Sequence, residues 1–210
     1  MRINTLRLKV ALGILGALLP IIVLALCLIF GYGFPNSISA TYYIAPTITP
    51  FMIILGASSI LLMCYDGYEL IDDIVCTTAG VMGLGICLFP CFNSALERVG
   101  TFQIPTSVSA WLHNGCAVVF FSLLAFNSLF LFTKSSGEMT KKKKVRNIIY
   151  RVCGIGMIAS FVLLIPFNIF NVPHAVWIIE AIALFFFGIS WLTKADVFPF
   201  LFCDTAFKDE

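Results

Sequence analysis

The chain has 210 residues, of which 60% are hydrophobic and only 11% are charged, and its mean hydropathy is +1.01. Soluble domains carry about 25% charged residues, so this chain has too little polar surface to fold as a water-soluble globule. Its formal net charge of +2 provides no strong basic field, which excludes nucleic acid as a partner. The composition therefore predicts an integral membrane protein.

Six apolar segments follow one another along the chain. A membrane-spanning helix needs about 20 apolar residues, and the runs do not alternate as the strands of a β-barrel would. We therefore predict an all-α, polytopic bundle in which residues 1–210 form a single transmembrane domain. The six predicted spans cover about 10–31, 44–65, 74–91, 108–132, 147–168 and 174–193.

The positive charges indicate the orientation of these spans. Lysine and arginine concentrate near the cytoplasmic ends of membrane helices. With six spans, all 13 lysines and arginines except Arg98 fall on one side. We therefore expect both termini to be cytoplasmic and the 1–2, 3–4 and 5–6 connections to lie on the other side.

Ionisable residues inside a span are costly and indicate function by default. His113 and Glu180 lie about five or six residues into spans 4 and 6, roughly 8–9 Å below the outer surface. His174 begins span 6 at the same end. The sequence contains 2 histidines, and both fall in this outer layer.

The same outer layer also contains several hydroxyl and amide side chains. With the two histidines and Glu180, they predict a polar pocket that binds a lipid or another hydrophobic ligand in the outer half of the bundle. The alternative is that these groups only form hydrogen bonds between helices and fix the packing. The further candidate ligand-binding residues are Ser39, Tyr42, Tyr43, Asn114 and Asn168.

Two kinds of catalysis are conceivable in such a pocket, and the sequence leaves open whether the protein is an enzyme. Ser39 as nucleophile, His113 as base and Glu180 as orienting acid would form a lipid hydrolase or acyl-transfer enzyme, although no nucleophile-elbow motif is present. His113, His174 and Glu180 could instead ligate zinc. No His-x-x-x-His spacing supports zinc, so we expect no cofactor. A small oligomeric transporter or channel is the third hypothesis.

The connection between spans 2 and 3 carries four acids, Asp66, Glu69, Asp72 and Asp73, and no base. We expect Asp72 or Asp73 to cap the start of span 3. Alternatively, these acids pair with the lysine run 141–144. The lysine run would also attract anionic lipids of the inner leaflet.

Short motifs in four parts of the chain resemble those of known membrane protein families. They are Asn-Ser-Ile-Ser-Ala-Thr-Tyr-Tyr at 36–43, Leu-Phe-Pro at 88–90, Leu-His-Asn at 112–114 and Phe-Gly-Ile-Ser-Trp-Leu-Thr-Lys at 187–194. With these motifs the chain resembles a group of uncharacterised prokaryotic six-span membrane proteins. It is more distantly similar to the Frag/DRAM/Sfk superfamily, which shares a serine at the start of span 2 and a histidine in span 4.

The resemblance implies a lipid-related role in which Ser39 and His113 are the matching positions. It also implies a location in the plasma membrane of a prokaryote. Membrane lipids are then the expected partners, beside a second copy of the chain or another membrane protein. The transmembrane ceramidase and adipose-receptor hydrolases are a weaker comparison, because this sequence lacks their zinc-binding His-x-x-x-His.

Overall fold

The computed structural model describes residues 5–135 and 140–198, and these residues are mostly helical. The long helices are α1 (Thr5–Ile29), α2 (Ala45–Met63), α3 (Leu70–Leu88), α4 (Thr106–Phe126), α5 (Lys141–Ile169) and α6 (Ala175–Lys194). A 3-10 turn at Ser39–Tyr43 precedes α2, and a π-helical turn at Asn127–Leu131 extends α4. A two-residue hairpin, β1 (Arg98–Val99) with β2 (Ile104–Pro105), lies between α3 and α4.

Each of the six helices in the described ranges is long and apolar enough to cross a membrane. This confirms the all-α, polytopic prediction and makes the chain a multi-pass membrane protein. The boundaries differ most at α5, which begins at Lys141 rather than near residue 147. The lysines extend this helix beyond its apolar part, because lysine is a good helix former.

The helices form a closed ring in chain order, in which α6 returns to pack on α1. The contact between α4 and α5 is looser than those between the other neighbours. The α1–α2, α3–α4 and α5–α6 connections meet at one end of the bundle, which we call the histidine end. The α2–α3 and α4–α5 connections lie at the opposite end of the bundle, which we call the lysine end. The first and last described residues of the chain lie there too.

Glycines allow α1 and α6 to cross closely. A Cβ atom placed on Gly188 would lie 2.8 Å from the carbonyl oxygen of Gly13. Real Cβ atoms do not approach backbone that closely, so any larger residue at 188 would push the helices apart. Small residues at such crossings are typical of helix association in membranes.

Acidic residues cap α3 at the lysine end. Glu69 is the N-cap residue, and the Asp72 carboxylate accepts hydrogen bonds from the backbone N–H groups of Tyr68 (3.0 Å) and Glu69 (2.9 Å). The predicted capping by Asp72 is therefore confirmed. Glu69 pairs with Lys134 at 2.6 Å, a partner outside the lysine run 141–144.

Candidate functional site

The connection between α1 and α2 folds back over the histidine end. Its 3-10 turn is buried at Thr41, as is the preceding Ile38. Thr47 of α2 donates a hydrogen bond from Oγ1 to the Thr41 carbonyl oxygen at 2.7 Å. The turn therefore closes the ring of helices at this end.

Glu180 of α6 forms hydrogen bonds to the start of the 3-10 turn. Its Oε2 accepts a hydrogen bond from the Ile38 backbone N–H at 2.6 Å, and its Oε1 accepts one from the Ser39 hydroxyl at 3.0 Å. The carboxylate thus lies at the N-terminal end of the turn, where the backbone N–H groups point toward it. Among the described residues, no cation forms an ion pair with Glu180. Two of the predicted site residues, Ser39 and Glu180, are therefore in direct contact.

The start of α6 is attached to the same connection. His174, in a left-handed conformation with φ of 55°, precedes the helix, and its Nδ1 lies 3.2 Å from the Pro35 carbonyl oxygen. Its ring contacts that of Phe34 at a centroid distance of 4.7 Å. The backbone N–H of Trp177 donates to the Asn36 carbonyl at 3.1 Å. His174 therefore serves as an attachment point and does not reach Glu180.

His113 has a different partner from the one its sequence position suggested. Its Nδ1 lies 2.7 Å from the carbonyl oxygen of Phe89, the C-cap residue of α3. Because a carbonyl only accepts hydrogen bonds, Nδ1 must carry the proton. One helical turn earlier, Ser109 donates to the Pro90 carbonyl at 2.7 Å. Carbonyls at a helix end lack intrahelical donors, so these two side chains bind α4 to the end of α3.

Sequence reasoning missed Ser109, although a signal was present. Ser109 and His113 are four residues apart, which places them on one face of a helix. A polar pair with that spacing inside a span indicates a shared partner on a neighbouring helix.

A small central cavity lies beneath the 3-10 turn. Its volume is about 30 Å³, enough for one or two water molecules. Ser39 and Glu180 are its polar lining residues, and its other walls are apolar. These walls come from five helices and include Leu19, Phe51, Ile86, Phe121 and Leu184.

The other predicted site residues lie outside this cavity. Tyr42 and Tyr43 contact each other edge to face, and the Tyr43 hydroxyl donates to the Cys91 carbonyl at 2.5 Å. Asn114 is exposed on the surface of α4. Asn168 belongs to α5, and its side chain is outside the described part of the structure.

Burial keeps Tyr43 and Cys91, which lie outside the cavity, neutral. Loss of solvent, together with the nearby Cys91 and Tyr42, raises the pKa of Tyr43 to about 12. Burial, and then the negative charge of Glu180, raises the pKa of Cys91 to about 11. Neither group is therefore a base or a thiolate nucleophile near neutral pH.

The arrangement does not match the predicted serine–histidine–acid relay. In a serine–histidine–acid relay the histidine lies between the other two groups, whereas here Ser39 bonds directly to Glu180 and His113 bonds to Phe89. Within residues 5–135 and 140–198, no three His, Cys, Asp or Glu side chains are grouped to hold a metal ion. His113, His174 and Glu180 thus do not form a zinc site in this structure.

A second feature, absent from the sequence-based prediction, is a cleft of about 180 Å³ between α4 and α5. Met157 and Phe121 are buried at its floor, whereas Val118 and Val162 are each 59% exposed at its rim. The cleft thus opens on the outer surface of the bundle, which faces lipid in a membrane. Phe121 also lines the central cavity, so the two spaces share one wall residue.

The cleft ends where α4 and α5 are fastened together. The Ser128 hydroxyl, in the π-helical turn, donates to the Tyr150 carbonyl of α5 at 2.8 Å. It also lies 2.8 Å from the Ser190 hydroxyl of α6. Gly154 of α5 allows this approach, because a Cβ there would meet the side chain of Leu129. The two helices are therefore joined toward the lysine end and open at mid-height.

Comparison with protein families, with curated proteins and with solved structures finds no match to this chain.

Proposed function

We propose that this membrane protein binds a lipid or another hydrophobic ligand, with its apolar tail in the α4–α5 cleft and its polar group at Ser39 and Glu180. The main support for this proposal is that Phe121 lines both the lipid-facing cleft and the cavity that contains the Glu180 carboxylate. A change in the side-chain rotamer of Phe121 would join the two spaces. The polar group would then replace the water that the cavity has room for.

The chemistry of the cavity favours a small hydrogen-bond donor. Hydrocarbon already solvates acyl chains, so burying a tail in the cleft gains packing but little hydrophobic free energy. Selectivity must come from the polar end, where Glu180 accepts hydrogen bonds and has no cationic partner among the described residues. A cavity of about 30 Å³ suits a hydroxyl or an amino group and is too small for a phosphorylated headgroup. The ligand class is therefore a lipid with a hydroxyl or amine.

The direct hydrogen bond between Ser39 and Glu180 supports binding in preference to hydrolysis or acyl transfer. A nucleophilic serine needs a base that removes its proton. The base of the predicted relay was His113, which lies instead at the Phe89 carbonyl, while Ser39 donates to Glu180.

The distribution of cations supports an orientation. Lys134, Lys143, Arg146 and Lys194 meet at one end of the bundle, so the positive-inside rule makes the lysine end cytoplasmic. The histidine end and the ligand site then lie in the outer half of a plasma membrane, and the resemblance above implies a prokaryotic one. Topology reporters in the α3–α4 and α4–α5 connections should map to opposite sides.

Native mass spectrometry of protein released in a mild detergent tests the ligand site. Val162→Trp would fill the cleft from its exposed rim, where the added ring does not disturb the core. Val152→Trp is the matched control on the same helix, because Val152 is 55% exposed and does not line the cleft. We expect a retained ligand in the wild type and the control, and a loss of at least about tenfold in occupancy in Val162→Trp.

The mass of the ligand identifies its class. A hydroxylated or amino lipid that Val162→Trp loses would support the proposal. Equal retention by both variants, or no retained lipid in the wild type, would contradict it.

A further inference from the structure

A wide cavity of about 650 Å³ opens at the lysine end, far from the proposed lipid site. Its walls come from the α2–α3 connection, the segment after α4, and helices α5 and α6. Known ligand pockets measure about 300–1,000 Å³, so the space is ample for a small molecule or a headgroup. The lining residues are Tyr68, Glu69, Lys134, Ser135, Lys143, Arg146 and Lys194.

Lys194, the last residue of α6, is the most unusual of these residues. It is only 9% exposed, and its Nζ lies 4.8 Å from the ring centroids of both Tyr68 and Phe132. Among the described residues, no carboxylate forms an ion pair with it. Contact with two aromatic faces offsets only part of the cost of burying an ammonium group.

Other cations increase this cost. Lys9, Lys143 and Arg146 are near enough to Lys194 for their charges to repel it. Lys143 donates to the Phe132 carbonyl at 2.8 Å and has no carboxylate partner in the described ranges. Arg146 contacts Asp196 at 3.1 Å. Like charges collected around a partly buried ammonium destabilise the fold unless an anion joins them.

Three acids lie near these cations. Asp72 attracts Lys194, but its carboxylate accepts hydrogen bonds from the backbone N–H groups of Tyr68 and Glu69 and does not line the cavity. Glu69 is the one carboxylate in the lining, and it is engaged with Lys134 at the solvent-exposed rim. Asp196 contacts Arg146 and, at 3.8 Å, Lys142, but it does not line the cavity. The inner wall, formed by Lys143 and Lys194, is therefore left positive.

We propose that this cavity binds a phosphate-bearing anion, whose oxygens contact Lys143 and Lys194 at the inner wall and Arg146 beside them. Phosphate carries more charge than a carboxylate and presents several acceptor oxygens, and guanidinium and ammonium groups recognise it by charge-assisted hydrogen bonds. The source of the phosphate is either a soluble phosphorylated molecule or the headgroup of an anionic lipid. This site is independent of the lipid site at the histidine end.

Two probes test the proposal on the full-length protein in neutral detergent. Inorganic phosphate represents a soluble ligand, and the rise in melting temperature is measured against sodium chloride at equal ionic strength. Phosphatidic acid in mixed micelles represents a headgroup, and its adducts are counted by native mass spectrometry against phosphatidylcholine.

Three single variants identify the site. Lys194→Met and Lys143→Gln each remove one inner-wall charge, and each should weaken binding about tenfold. Lys144→Gln is the matched control, because Lys144 lies in the same lysine run, is exposed and does not line the cavity. It should change binding by less than about twofold. If Lys194→Met fails to fold, Lys143→Gln alone decides the test.

Binding of both probes would show recognition of the phosphate group itself. Binding of phosphatidic acid alone would identify a lipid headgroup, and binding of inorganic phosphate alone a soluble ligand. Binding of neither probe would overturn the proposal. So would an equal loss in Lys143→Gln and Lys144→Gln, because the attraction would then come from the general surface charge.

Discussion

Two carboxylates at opposite ends of the bundle, those of Glu180 and Asp196, have contrasting surroundings. At the histidine end, Glu180 is enclosed by the 3-10 turn, and neutral donors, the Ile38 N–H and the Ser39 hydroxyl, satisfy it. At the lysine end, Asp196 is 48% exposed and faces two cations, Arg146 and Lys142. Charge-assisted hydrogen bonds in an enclosed site stabilise a fold far more than exposed ion pairs do. Glu180 is therefore expected to contribute more to the stability of the fold than Asp196.

The largest effect is expected from Glu180→Ala. This substitution leaves the Ile38 N–H without its acceptor and frees the Ser39 hydroxyl. We expect the free energy of unfolding in mixed micelles to fall by about 3 kcal/mol. Glu180→Gln should lose less than half as much, because an amide oxygen still accepts from Ile38. Equal losses in the two variants would show that charge matters more than hydrogen bonding.

Gly188→Ala should come next, because its Cβ would meet the Gly13 carbonyl oxygen at 2.8 Å. Overpacking of this kind costs about 2 kcal/mol. Gly56→Ala is the control, since a Cβ there has no neighbour within 4 Å. The control should keep or raise the free energy of unfolding, because alanine is the better helix former. A stable Gly188→Ala protein would contradict the close crossing of α1 and α6.

His113→Ala should have an intermediate effect on stability and none on the ligand. The Phe89 carbonyl would lose its donor, which costs about 1–2 kcal/mol. The neighbouring Asn114→Ala should change stability by less than about 0.5 kcal/mol, because Asn114 is exposed. Unfolding and native mass spectrometry should be measured on both variants. If the His113→Ala protein folds but has lost its ligand, His113 takes part in ligand binding and the prediction is wrong.

Asp196→Asn should have the smallest effect. Exposed ion pairs contribute at most about 1 kcal/mol, and the Asp196 pairs at the lysine end are of this kind. We expect a loss of about 0.5 kcal/mol at low salt that disappears at high salt, where exposed charges are screened. A loss that persists at high salt would mean that the lysine end is more enclosed than its exposure indicates.

The sequence predicted the spans and the layer of polar groups, but not their pairings. Length and apolarity determine where helices cross a membrane, so all six spans were found within a few residues. His113 and Glu180 were both recognised, since buried ionisable groups stand out in an apolar sequence. Their partners, the Phe89 carbonyl and the Ile38 N–H, are backbone groups present in every residue.

The α4–α5 cleft and the buried lysine could not be predicted in this way. The cleft depends on how two helices diverge above the contact at Ser128, which no periodicity records. Lys194 ends a span and looks like one more positive-inside residue, yet the aromatic rings of Tyr68 and Phe132 enclose it. Such features arise from tertiary packing between segments distant in the chain.

The most direct test of the proposed lipid site is native mass spectrometry of Glu180→Gln beside the wild type. The amide preserves the shape of the side chain and its bond to the Ile38 N–H, but it replaces one of the two acceptor oxygens by an NH2 group, which cannot accept from a donor group of the ligand. We predict a folded protein whose occupancy by the cleft ligand falls at least about tenfold. A folded Glu180→Gln protein with undiminished ligand would contradict the account and leave Glu180 as a structural anchor of the 3-10 turn.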